Sequence, residues 1–312
     1  MRSAIIADDL TGACDAAARA ALAGWRPRVV LDGEPTTQKL VVVSTATRNS
    51  TARQAAAIVT EVAQRLLRRG IRPLLKKIDT GLRGPWAAEV AALRKATDAQ
   101  LVAVAPAFPA CGRVVRNGIL YADGEEVGAL APALEAAGIH DAIIGDAETD
   151  EELAAFAEKI ASERRSVLWV GSAGLARYVF GDRHLSPRRL PVADRWLVIN
   201  GSTHPSSLAA VEAARQAGIE IAESTPESLE PGTALFLIGG DTAERALRHM
   251  GASALDVFDE ALAGVAVGRV EGGLADGSLF LTKAGHFGNA ETVLRAIERC
   301  SPERPAVRAS NL

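Results

Sequence analysis

The sequence predicts an α/β protein of two domains, each a mostly parallel sheet with helices on both faces, and an active site in the interdomain cleft. Three observations carry this. Short apolar, β-branched runs alternate along the chain with longer stretches of helical periodicity. At 312 residues, the chain exceeds the roughly 150 residues expected of one domain. A polar, proline-punctuated break over 181–191 interrupts the alternation and divides the chain into 1–185 and 186–312.

The opening stretch, residues 4–13, reads as strand, acidic turn and helix. Ile5 and Ile6 suit a buried strand, and 14–23 is alanine-rich and helix-favouring. Between them stand Asp8 and Asp9, at the strand end where open α/β sheets bind ligands. Adjacent carboxylates are costly there unless something pairs with them. One acid would serve to cap the helix. Two, followed by Thr11-Gly12, favour a site over a cap.

Further strands are expected at 29–31, 40–43, 74–75, 101–105, 141–144 and 167–170. A helix over 50–69 shows in the spacing of Ala57, Val59, Val62, Leu66 and Leu67, and Gly70 is a natural stop. Another starts near Thr149 with an acid-rich first turn. Beyond the break come strand 197–199, helix 206–217, strand 235–238, helix 243–250, strand 279–282 and helix 290–298.

Composition excludes several classes. A formal charge of −3 offers no general attraction to nucleic acid or an anionic membrane. Cys14, Cys111 and Cys300 are scattered and odd in number, so neither a disulfide framework nor a zinc site is indicated. The five histidines are equally dispersed, and no metal ligands are assigned. Asp8 and Asp9 break any signal-peptide core, and no apolar run is long enough to span a bilayer. A cytoplasmic protein is expected.

The chemistry is concentrated in the turns. The cluster from Lys76 through Lys77, Asp79 and Arg83 to Gly84 sets point-charge lysines beside an arginine whose planar fork suits a carboxylate or phosphate. A solvated turn with local salt bridges is the competing reading. The proline-rich stretch 105–113 reads as a rigid loop carrying Arg113, or as a surface hairpin lead-in. In the second half, glycine turns follow three strands, at 200–205, 238–242 and 282–288. Backbone N–H groups at such turns can cradle phosphate oxygens, with Lys283 available to neutralise charge. None matches the Walker A or dinucleotide fingerprints. Singly, each would be an ordinary strand-to-helix connection.

The ordered set Ala7-Asp8-Asp9-Leu10-Thr11-Gly12-Ala13, 76–84, 105–113, 171–176, 239–242 and 283–288 resembles the four-carbon acid sugar kinase family over essentially the whole chain. That family was formerly described as a domain of unknown function, with some members labelled type III effector proteins. The resemblance implies an N-terminal domain for a tetronate-type acid and a C-terminal domain for ATP, with Mg²⁺ assisting. The implied reaction phosphorylates threonate, erythronate or 3-oxo-tetronate, typically at the terminal hydroxyl. Carried over, Asp8, Asp9, Asp79 and Arg83 lie in the sugar-acid site, and Ser202, Gly239, Gly240, Asp241, Thr242 and Gly285 line the nucleotide site. The resemblance also keeps Arg48 on the acid side, and physical reading adds Lys77 and Arg113 there and Lys283 to the phosphate side. Asp8, Asp9 and Arg83 are the expected catalytic groups, either aspartate serving as base. Valine at Gly240 is expected to block phosphate alone.

Departures from the family pattern are Ser44 for an acidic residue, Thr80-Gly81 for Ser-Thr, Pro85 for Asn and Cys111 for Gln or Glu. The C-terminal domain is also short between Ser202 and Gly239. Ser44, Gly81 and the short second domain favour an alternative, a non-catalytic sugar-acid or nucleotide-binding relative, whereas Lys283 and the 239–242 turn favour the kinase. Partners are expected to be small molecules, a sugar acid and ATP, without nucleic acid or membrane; a homodimer is left open.

Overall fold

The computed structural model describes residues 2–31, 37–181 and 189–302. In chain order the first half contains β1 (Arg2–Ala7), α1 (Leu10–Leu22), β2 (Pro27–Val30), β3 (Leu40–Ser44), α2 (Ala52–Arg68), β4 (Ile71–Lys77), α3 (Trp86–Thr97) and β5 (Leu101–Ala105). A small antiparallel sheet follows, of β6 (Arg113–Arg116), β7 (Ile119–Ala122) and β8 (Glu125–Ala129). Then come α4 (Leu130–Ala136), β9 (Ile143–Ile144), α5 (Asp150–Ala161), β10 (Val167–Gly171) and α6 (Ala173–Val179). The second half has β11 (Arg195–Asn200), α7 (Pro205–Gln216), β12 (Glu220–Ala222), β13 (Thr233–Ile238) and α8 (Gly240–His249). It ends with β14 (Ala254–Leu262), β15 (Val265–Glu271), β16 (Leu279–Lys283) and α9 (Thr292–Arg299).

Local chemistry sets several boundaries. Thr51 and Thr149 start α2 and α5 through reciprocal capping boxes with Gln54 and Glu152. Gly70 ends α2 with a positive φ of 68°. Strands β5 and β13 are buried at every residue, as parallel strands covered on both faces must be. By contrast β14 alternates buried and half-buried positions, the mark of an antiparallel strand with one wet face.

The first-half strands lie in the order β2-β3-β1-β4-β10-β5-β9, all parallel. In the second half β12-β11-β13-β16 are parallel, and the hairpin of β15 and β14 closes the row antiparallel. The expected sheet in each half is present, and the two are joined. Strand β14 pairs antiparallel with β2, Leu255 opposite Val29, so one sheet of 13 strands runs through both halves.

Helix α1 lies at this junction. Every residue from Leu10 to Ala21 is buried, which its small alanines permit, and it touches β14, β15, β16 and α8 as well as its own sheet. One core accordingly takes in Ile5, Leu75 and Val104 from the first half and Leu197, Leu235 and Leu255 from the second. A smaller core around Trp196, Phe236 and Val293 belongs to the second half alone. Most of the expected linker, residues 182–188, lies outside the described residues. No helix among the described residues is long and apolar enough to cross a membrane.

Candidate active site

Strands β3, β1 and β4 are neighbours, and each ends in a turn carrying charge. Their order brings Arg48, the Asp8-Asp9 pair and Asp79 together at the carboxyl ends of the strands. Arg48 donates from Nε to Asp8 Oδ2 at 2.8 Å, from Nη2 to Asp8 Oδ1 at 3.1 Å, and from Nη1 to Asp9 Oδ2 at 2.7 Å. Its Nη2 also lies 3.4 Å from Asp79 Oδ1. Burial opposes the Arg48 charge, but Asp9, Asp8 and Asp79 outweigh it and raise the guanidinium pKa. Gly84, at φ 79°, lets this loop close: a Cβ there would lie 2.7 Å from the Arg48 carbonyl oxygen.

Asp9 caps α1 as well as binding Arg48. Its Oδ1 accepts the Gly12 N–H at 2.8 Å and starts α1, while Oδ2 accepts the Thr11 hydroxyl at 2.8 Å. Arg83 grips Asp79 through Nε and Nη2, both at 2.8 Å. Burial works against ionised Asp79, yet Arg83 and Arg48 hold it well below the usual carboxylate range. The Arg83 fork expected to face a ligand is therefore engaged with Asp79, although the side chain is 56% exposed.

The second half repeats the plan. Strands β11, β13 and β16 are neighbours, and the turns after them carry Ser202, the 239–242 run and Gly285. Gly239 opens α8 at φ 91° with no side-chain cap, which leaves backbone N–H groups free at a helix N-terminus. The glycines here are sites of close approach. A Cβ on Gly240 would come within 2.8 Å of Asp9 Cγ, and one on Gly285 within 2.8 Å of Ser202 Cβ. Among the bonds that cross between the halves are Asn49 Nδ2 to Asp241 Oδ2 at 3.0 Å and the Ser44 hydroxyl to Glu244 Oε2 at 2.9 Å.

A cavity of about 350 Å³ opens between the two sets of turns. Of the residues expected from sequence, Asp9, Arg48 and Arg83 line it from one side, and Ser202, Gly239, Gly240, Asp241, Thr242 and Gly285 from the other. Asp8 and Asp79 stand behind the wall, attached to Arg48 and Arg83.

Three expected residues are elsewhere. Buried Lys77 donates to the Ile78 carbonyl at 2.8 Å, beneath the start of α1. Lys283, expected to neutralise phosphate, is buried and does not line the cavity; its Nζ donates to Ser207 Oγ at 3.0 Å and to the Ala284 and Phe287 carbonyls at 3.0 and 2.9 Å. Three bonds occupy all three donors, so this lysine ties down the 284–287 loop. Burial lowers its pKa to about 8. Arg113 lines a neighbouring cavity of about 420 Å³, held by Asp123 Oδ2 at 2.8 Å and lying over the Phe287 ring.

His286 and Asn49 line the cavity and were not singled out from sequence. His286 stood inside the quoted 282–288 turn, where a polar ring next to a glycine was the available signal. Among the described residues, no group of three or more His, Cys, Asp or Glu could by itself hold a metal ion.

Known proteins resemble the chain in both halves. A sugar-binding N-terminal domain family covers residues 3–133, and a nucleotide-binding C-terminal domain family covers 199–293. A D-threonate kinase of Bordetella bronchiseptica is 27% identical over 398 aligned positions, spanning 96% of this chain and 98% of the relative. Another, from Cupriavidus necator, is 34% identical across 55% of this chain and 52% of the relative. Among solved structures, one described as a putative tRNA synthase from Salmonella typhimurium has a TM-score of 0.72 at 17% identity, covering 95% of this chain and 98% of its own. At that identity it shows the fold alone. A domain of unknown function from Bordetella bronchiseptica, a domain-swapped dimer with bound citrate, is 26% identical with a TM-score of 0.50, covering 96% and 98%. With both domains matched in order and kinase relatives along its length, the chain belongs to the four-carbon acid sugar kinase family.

Proposed function

We propose that this protein is an ATP-dependent kinase of a four-carbon sugar acid, threonate, erythronate or 3-oxo-tetronate, acting at the terminal hydroxyl. The observation that carries the reading is the meeting of Asp9 and Gly240: an acid from the first half stands against a glycine-opened helix N-terminus from the second, in one cavity. The D-threonate kinase relatives support the substrate class. Residues 1–185 serve the acid and 186–312 the nucleotide.

Phosphoryl transfer asks mainly for positioning and charge stabilisation. The uncapped N–H groups of α8 suit phosphate oxygens, and the close glycine approaches leave room for them. Asp9 lines the cavity and Asp8 does not, so Asp9 is the base that accepts the hydroxyl proton. Asp8 keeps Arg48 turned towards it. Arg83, with Arg113 beyond it, offers positive charge to the acid carboxylate. Mg²⁺ bound with the phosphates would supply charge neutralisation, and Asp241 is the carboxylate on the nucleotide side that suits it, since such ions commonly take only one or two protein carboxylates.

The three cysteines are free and shielded to differing degrees, which suits a reducing cytoplasm. A homodimer is part of the reading by analogy with the domain-swapped relative.

A coupled assay with ATP over a panel of four-carbon acids tests the proposal. Turnover is expected for at least one, and Asp9→Asn should keep ATP affinity while losing about 100-fold or more in kcat. Binding of both ligands without turnover of any acid would establish the non-catalytic alternative.

A further inference from the structure

His286 belongs to the nucleotide half, yet its ring reaches the acid side. Nε2 lies 3.2 Å from the Thr80 hydroxyl, and Nδ1 lies 3.4 Å from Arg83 Nη2. A guanidinium has donors and no acceptor, so Nδ1 must be the unprotonated nitrogen. The proton is then on Nε2, which donates to Thr80. A protonated ring would turn a second N–H towards the Arg83 cation. The surroundings agree: burial first, then Arg83, Arg113 and Arg48, outweigh the attraction of Asp79 and lower the imidazole pKa to about 3.

The loop that carries the ring is fixed on all sides. Lys283 binds the carbonyls of Ala284 and Phe287, Gly285 presses on Ser202, and the Phe287 ring packs edge-on against Phe108 at 6.1 Å. His286 is also the residue shared by the linings of the main cavity and the Arg113 cavity. Arg83 has its Nε and Nη2 on Asp79, whose Oδ2 also accepts the Gly81 N–H at 2.9 Å, so the guanidinium is anchored along one edge only. The imidazole meets the outer end of the guanidinium, at Nη2, from across the cleft.

We propose that His286 is a positioning residue for the sugar acid: a neutral Nε2–H imidazole, supplied by the nucleotide half, that sets Arg83 and Thr80 in place and so fixes acid affinity. The proposal rests on the kinase reading for the identity of the acid, and its test does not require turnover.

Calorimetry with threonate and, separately, with ATP is the measurement. For His286→Ala we expect threonate to bind about tenfold more weakly, the size of one lost hydrogen bond to a charged group, with ATP affinity within about twofold. His286→Asn returns an acceptor near the Nδ1 position and should recover most of the loss. His286→Gln returns only the arm towards Thr80 and should stay close to the alanine variant. Unchanged threonate affinity in His286→Ala, or an equal loss for both ligands, would overturn the proposal. If the alanine variant does not fold, nitrogen NMR of the wild-type ring decides: neutral Nε2–H signals should persist from about pH 8 to 5, whereas titration near the usual value of about 6.5 refutes the assignment. A wild-type protein that binds threonate without phosphorylating it would remove the kinase reading and leave this test standing.

Discussion

Asp9 has three neighbours that fix it, Arg48, Thr11 and the Gly12 N–H, and a fourth that leaves it no room, Gly240. The sequence suggested that a side chain at Gly240 would disturb phosphate alone. The geometry says otherwise, because a Cβ at Gly240 falls inside contact distance of the Asp9 carboxylate. We therefore expect Gly240→Ala to weaken acid and ATP binding together. It should also cost about 1 kcal/mol of stability by displacing the α1 cap. Normal threonate affinity in that variant would contradict the shared wall. The paired acids were legible because two adjacent carboxylates at a strand end demand a partner. Lys283 was misread for an equally physical reason. A sequence shows a cation after a strand, but not that the next carbonyls curl back to accept its protons.

The runs of unbroken apolar residues that form β3, β5, β10 and β13 could be read directly, as could the capped helices α2 and α5. The hairpin of β14 and β15 could not. It carries Asp256, Asp259 and Glu260 among its apolar residues, and this mixture resembles a solvated face. The β6–β8 sheet did leave a signal, since Asn117-Gly118 and Asp123-Gly124 are both hairpin dipeptides. Helix α1 hides a further feature. Arg19 on it meets Glu260 of β14 at 3.1 Å, and Asp15 one turn earlier is buried with Oδ1 lacking a hydrogen-bond partner. The charges of Lys77 and Arg19 favour ionised Asp15, but they do not offset its burial. Burial accordingly pushes Asp15 from 3.8 up to about 6. A raised carboxyl pKa means stability that is present below about pH 4 and lost as pH rises through about 6. Asp15→Asn removes that loss, so its stability advantage over wild type should grow between about pH 4 and 6 and then level off, by a few kcal/mol at most. Denaturant unfolding of both proteins across this range checks it, and a pH-independent difference would refute the assignment.

At the scale of the whole molecule, the site exists only because two similar halves turn the carboxyl ends of their strands towards each other. All the charged turns of the first half precede the break at 181–191, so a fragment of residues 1–185 would carry the whole acid side. The structure argues against independence. Strand β14 covers the β2 edge, which would otherwise expose unpaired backbone groups. Helix α1 would lose its contacts with β14, β15, β16 and α8, uncovering alanines that are fully buried in the intact chain. The core that contains Ile5 would also lose Leu235, Leu255 and Phe280. Apolar burial contributes roughly 25 cal/mol per Å², and a domain's net stability is only about 5–15 kcal/mol, so losses of this kind can exceed the whole margin. We predict that the intact chain unfolds in one cooperative transition and that a fragment of residues 1–185 is unfolded or aggregated. Thermal unfolding followed by circular dichroism and by tryptophan fluorescence should give coincident curves, because Trp25, Trp86 and Trp169 report the first half and Trp196 the second. Two separated transitions, or a monomeric 1–185 fragment with a sharp melt of its own, would show that the joined sheet is an accessory contact between autonomous domains.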